Sequence, residues 1–129
     1  MCNTMAAINA LPSYDTSAAG RLLEGLAAEN GALAFTGDSL TNQLAVGFEC
    51  ELLKTGGTIL RQSTEQRPKP RWRYGVGTVE EWIVAAAAGE KEVPVLLFSQ
   101  YRYNSTSWKD MEEILERSTV IVVNFGVHW

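Results

Sequence analysis

A serine stands where an apolar run gives way to a helical pattern: Ala32 to Phe35, then Thr36-Gly37-Asp38-Ser39, then Leu40 onward. A strand, a tight turn and a helix start put that hydroxyl at a strand end beside a helix N-terminus. There, first-turn N–H groups and the positive end of the helix dipole stabilise developing negative charge. Those are the parts of a nucleophile and an oxyanion hole. The same residues also serve plain architecture, because Asp and Ser cap helices and Gly suits turns. The tripeptide alone does not choose between the two uses.

A second constellation is VIVVNFGVHW, Val120 to Trp129. A buried strand here delivers Asn124 and Gly126 to the edge where Ser39 should lie. An Asn side chain can donate to an oxyanion, and Gly lets backbone approach closely; both residues also favour turns. His128 is the sole histidine. Imidazole has general-base chemistry, but a strand-end place beside Trp129 fits packing better, and His128 is kept as a substrate-side candidate. The third constellation is Arg67, Lys69, Arg71, Trp72, Arg73 and Tyr74. Interleaved charge and aromatics suit single-stranded nucleic acid, or an anionic glycan with Trp72 or Tyr74 stacked on a sugar face, or simply a solvated loop. A net charge of −4 argues against nucleic acid. Gly75-Val76-Gly77 lacks the third glycine and the spaced acidic residue of a dinucleotide loop. Cys2 and Cys50 lack metal-ligand spacing, and no metal or cofactor is expected. Cys50 reads as a small buried hydrophobe on its helix or, in an oxidising compartment, as a disulfide partner.

The string GDSL after an apolar strand, with Gln43 and then Phe48, Cys50, Leu52 and Leu53 along the helix, resembles the GDSL/SGNH hydrolase superfamily. It looks most like the PC-esterase and trichome-birefringence-like branch of esterases and O-acetyltransferases. The resemblance covers residues 32–54 and 119–129. It implies Ser39 as nucleophile, Asn124 as oxyanion donor, Gly37 as the residue that permits the turn and Asp38 as one that orients it. The implied substrate is an acyl ester, with acetyl the expected group, on a glycan or similar molecule. The implied compartment is the secretory pathway or the cell exterior, although MCNTMAAINALPSYD lacks the basic and apolar regions of a signal peptide. The sequence departs from the family in three ways. Asn42 stands where an Arg is usual, the second-block glycine has no clear match among Gly56, Gly57, Gly75 and Gly77, and the DxxH that supplies the base is not found. The expectation is therefore an N-terminal portion of a longer enzyme, incomplete or inactive as it stands. A non-catalytic glycan- or partner-binding module on the same scaffold is the alternative. A nucleotide-binding flavodoxin-like domain is a third reading, from topology alone.

The elements that must position these residues read as follows. The 129 residues, 46% hydrophobic and 20% charged, suit one domain at most. No apolar run approaches the ~20 residues of a membrane span. Residues 1–14 look like a loose leader. Asp15 to Asn30 reads as a helix with Leu22, Leu23, Leu26 and Ala27 on one stripe, stopped by Asn30-Gly31. Ser39 to Lys54 reads as a helix whose stripe is Leu40, Leu44, Phe48 and Leu52, and Thr58 to Gln62 as a strand. Ser63 to Gly77 is irregular. Thr78 to Ala88 reads as a helix opened by the capping-box pattern Thr78-Val79-Glu80-Glu81. Val93 to Ser99 is an apolar strand, Ser107 opens a helix with Met111, Ile114 and Leu115, and Thr119 to Phe125 is a last strand. Alternating helices and strands predict a parallel sheet with helices on both faces over residues 15–129; the resemblance implies that this is an SGNH- or flavodoxin-like three-layer α/β/α sandwich, incomplete at its C-terminal side.

Overall fold

A computed structural model describes residues 18–37, 40–67, 78–87, 90–99 and 108–124. The chain runs α1 (Ala18–Ala28), β1 (Leu33–Gly37), α2 (Leu40–Lys54), β2 (Thr58–Gln66), β3 (Thr78–Ala85), β4 (Val93–Ser99), α3 (Trp108–Arg117) and β5 (Val120–Asn124). One five-stranded mixed sheet has the order β2-β3-β4-β1-β5. The protein is α/β, with three helices among the described residues.

Strand β1 lies between two parallel neighbours. Leu33 to Thr36 face Val95 to Phe98 of β4, and Leu33 to Gly37 face Val120 to Asn124 of β5. All five β1 residues are buried, as its unbroken apolar run requires. Side chains of opposite parity feed two cores. Leu33, Phe35, Trp82, Val84, Val95 and Leu97 pack with Leu23 and Leu26 of α1 and Ala45 and Leu52 of α2. Ala34, Val79, Leu96 and Phe98 pack with Ile114 of α3. Each such aliphatic side chain contributes about 1.5–3 kcal/mol on burial.

The helices stop as their sequences direct. After α1, Asn30 adopts φ 54°; the Gly31 N–H donates to the Leu26 carbonyl and the Asn30 N–H to Ala27. After α2, Gly56 adopts φ 92°; the Gly57 N–H donates to Leu52 and the Gly56 N–H to Leu53. Both are Schellman stops, with the left-handed residue taken by Asn or Gly.

Four expectations are corrected. Thr78 to Ala88 is not a helix: Thr78–Ala85 is the strand β3, and Ala86 and Ala87 follow in a bend. Val79, Trp82 and Ile83 fit helical spacing, but TVEEWIVA is rich in β-branched and aromatic residues. Strand β4 has β1 on one side, and β3 supplies its other partner through Thr78 to Val84. Nor is the sheet purely parallel, because β3 runs antiparallel to both β2 and β4. Strand β2 also extends to Gln66, claiming part of the stretch expected to be irregular.

The fourth correction concerns α2. Leu40 and Leu44 are exposed, and the buried positions are Thr41, Ala45, Glu49, Cys50 and Leu52. The expected stripe therefore holds in its second half, where Leu52 is buried and Phe48 packs on the core, while at the first turn the inward face shifts from Leu40 to Thr41, beside Gly37 of β1.

Candidate active site at the sheet's carboxyl edge

Strands β1, β4 and β5 are mutually parallel, so their carboxyl ends share one edge of the sheet. Open α/β sheets take their ligands at this edge. Strand β3 runs the other way and begins here, with Thr78 opposite Ser99, while the β2 terminus, Gln66, lies opposite Thr78. The stems of the 67–77 connection, the end of β4, Asn124 and the β1–α2 turn therefore gather at one edge.

Gly37 ends β1 in register with Asn124, the last residue of β5. Its φ is +139°, a conformation that L side chains rarely adopt. A Cβ there would overlap the Asn124 carbonyl and come 2.7 Å from Thr41 Oγ1. Glycine is needed twice over: for the dihedral that turns the chain towards α2, and for the close approach of β5. Helix α2 begins at Leu40, three residues beyond Gly37. Its first-turn N–H groups and positive dipole end thus face this turn.

Of the residues expected to act, Gly37 and Asn124 are brought together, with Asn124 half-buried at the edge. Asp38, Ser39, Trp72, Tyr74 and His128 lie outside the described residues. So does the basic stretch beyond Arg67, except that its stems, Gln66 and Thr78, are at this edge.

Arg67 itself is committed to structure. Its guanidinium holds Glu113 of α3 through two bonds, at 2.5 and 2.6 Å, and lies 3.3 Å from Glu65 and 3.8 Å from Asp110. Arg117 bonds Glu113 at 2.8 Å, reaches Glu81 of β3 at 3.3 Å and lies over the Phe98 ring. The Arg67 hydrogen bond, aided by Arg117, holds the Glu113 carboxyl down at about 2, and Glu113 raises Arg67 in turn. A charged residue singled out for ligand binding instead ties the end of β2 to α3.

Two buried polar residues at this turn escaped the sequence reading. Thr36 and Thr41 are fully buried, and among the described residues neither hydroxyl has a hydrogen-bond partner. They flank the turn on either side. The Thr36 row neighbours are Phe98 and Val123, neither of which offers it a side-chain bond. The signal for Thr41 was its spacing, four residues after Gly37 and four before Ala45, but the leucines one and three positions away outweighed it.

Cys50 is fully buried and disulfide-bonded, which decides between its two readings in favour of the disulfide; Cys2 lies outside the described residues. Among the described residues no cluster of three His, Cys, Asp or Glu is gathered as a metal ion would need, and no helix is long and apolar enough to cross a membrane. Comparison with family models, with curated proteins and with solved structures finds no match to the chain.

Proposed function

We propose that this chain is a serine acyl-esterase or O-acyltransferase domain built on a three-layer α/β/α sandwich of the SGNH type. Ser39 attacks an ester carbonyl, the Ser39 Oγ–acyl carbon bond forms, and the alcohol leaves as the tetrahedral intermediate collapses. The oxyanion is held by the backbone N–H of Ser39, the residue before α2 in sequence, and by the Asn124 side chain. Water or a sugar hydroxyl then takes the acyl group, with acetyl the expected one. The carrying observation is the register of Gly37 with Asn124. It brings the strand end before the GDSL serine beside the strand end that bears the Asn, at the edge where α/β sheets take their ligands. The stems of the segment bearing Trp72 and Tyr74 open on the same edge, which suits aromatic stacking on a sugar face.

The Ser39 proton must pass to a base. The family resemblance assigns that base to a DxxH, and the 129 residues contain none. This departure favours a second reading, a glycan- or partner-binding module on the same scaffold, in which Ser39 serves as a helix cap. A serine-reactive fluorophosphonate separates the two. The enzyme reading expects covalent labelling of the intact protein, mapped to Ser39 by peptide mass spectrometry and abolished in Ser39→Ala. A wild-type protein that stays unlabelled, or a Ser39→Ala variant labelled equally, leaves the module.

A further inference from the structure

The β2–β3 hairpin is bare where the middle of the sheet is covered. From Leu60 to Gln66 every residue of β2 is exposed, whichever face it takes. Alternate residues of a strand share a face, and so do ladder partners. Trp82 and Val84 of β3 pack in the core under α1 and α2, so Thr78 and Glu80 belong to that face, with Gln66 and Thr64 of β2 as their partners. The Thr78 hydroxyl donates to Gln66 Oε1 at 3.4 Å, as a shared face requires. Gln62, opposite Trp82, extends the row. Cover stops at Trp82, which is buried, while Glu80 and Thr78 are half-buried. The buried Trp82 indole N–H has no hydrogen-bond partner among the described residues.

This face also carries Asn124, because Val122, two residues before it, packs on the same α1–α2 core. Val79, Phe98, Thr36 and Val123 form one row across β3, β4, β1 and β5. Thr78 and Asn124 therefore stand in the next row, at the carboxyl edge, three strand spacings or about 14 Å apart. The charges sort by face. Arg67 and Arg117 are bound to Glu113 of α3 on the other side of the sheet. Arg61, the one cation within β2 and β3, lies opposite Ile83 on that other face and pairs with Glu92. The α2-side face of the hairpin is left with amides, hydroxyls and one carboxylate, Glu80.

Resting on the glycan-ester reading, we propose that this face is a glycan-binding ledge, and that it takes a neutral oligosaccharide laid across the strands towards Asn124. The side chains of Gln62, Thr64, Gln66 and Thr78 both donate to and accept from sugar hydroxyls. Glu80 accepts from hydroxyls in charge-assisted bonds and repels a uronate or sulfated chain.

The test titrates the intact protein by calorimetry with two probes, alongside fluorophosphonate labelling. A partially acetylated cello-oligosaccharide is neutral, and a partially acetylated oligogalacturonide is anionic. Wild type is expected to bind the neutral probe at least tenfold more tightly than the anionic one. Thr64→Val with Gln66→Met changes two exposed side chains. It is expected to keep the thermal midpoint and the labelling rate, yet to weaken neutral binding about two- to tenfold for each hydrogen bond lost. Ser63→Ala, on the opposite face of the same strand, is expected to bind as wild type, and Glu80→Gln to narrow the preference for the neutral probe. A double variant that binds the neutral probe as wild type does overturns the proposal. So does tighter binding of the anionic probe, which hands recognition to Lys69, Arg71 and Arg73. Labelling at Ser39 with neither probe bound also overturns it, and leaves the nucleophile standing. Binding that depends on Thr64 and Gln66 in a protein that does not label removes the nucleophile and keeps the ledge.

Discussion

Replacing Gly37 with alanine puts one methyl group into the most constrained point of the candidate site. Its φ of +139° is strained for any residue with a side chain, at about 1–3 kcal/mol. The methyl also overlaps the Asn124 carbonyl and approaches Thr41 Oγ1. The first is backbone in a strand ladder and the second belongs to a fully buried residue, so neither yields easily, and overpacking of this kind costs about 1–3 kcal/mol. Together the loss is about 2–6 kcal/mol, a large share of the ~5–15 kcal/mol typical of a domain. Gly47 is the internal control. It sits within α2 with nothing within 4 Å of an added Cβ, so Gly47→Ala is expected to stabilise by about 0.5–1 kcal/mol. Urea unfolding followed by circular dichroism measures both. Should Gly37→Ala unfold within about 0.5 kcal/mol of wild type, the ordinary range for a neutral surface change, the close approach of β1 and β5 at this turn is wrong.

Three further outcomes follow from the packing and charges. The folded Glu113 carboxyl is held at about 2, below its unfolded value, so its contribution is full above the ordinary carboxylate range and lost as pH falls through that range towards about 2. Acid titration of stability should show a step in this window that Glu113→Gln removes. Glu49 is buried on α2, and desolvation raises its pKa; its charged form therefore costs stability at neutral pH. Glu49→Gln should raise the thermal midpoint there, with a gain that shrinks as pH falls through the raised value towards the ordinary one. Cys50 in denaturant should resist alkylation until a reductant is added, and reduction should lower stability by about 2–4 kcal/mol.

The local patterns that the chain displays were readable where one period dominates. The α1 stripe of Leu22, Leu23 and Leu26 with its Asn30-Gly31 stop, and the apolar runs of β1 and β4, lie where expected. Strand β3 was misread because Val79, Trp82 and Ile83 satisfy helical spacing as well, and what decides between the two is the non-local demand of β4 for a partner. The α2 face was misread for a related reason. Leucines were assumed to be inside, yet Leu40 and Leu44 are exposed while a threonine and a glutamate face inward. At the site, the residue types and their chain order were legible, since Gly37 and Asn124 stood out from their motifs. Their register, and the buried hydroxyl of Thr41 beside them, arise only once β1 and β5 pair and α2 packs down.

The most direct measurement is a crystal structure of the intact protein carrying a phosphonate adduct. The account expects phosphorus bonded to Ser39 Oγ, with the phosphoryl oxygen about 2.7–3.1 Å from both the Ser39 backbone nitrogen and the Asn124 side-chain nitrogen. An adduct on another residue, or a phosphoryl oxygen turned to solvent with Asn124 beyond hydrogen-bonding distance, would contradict it.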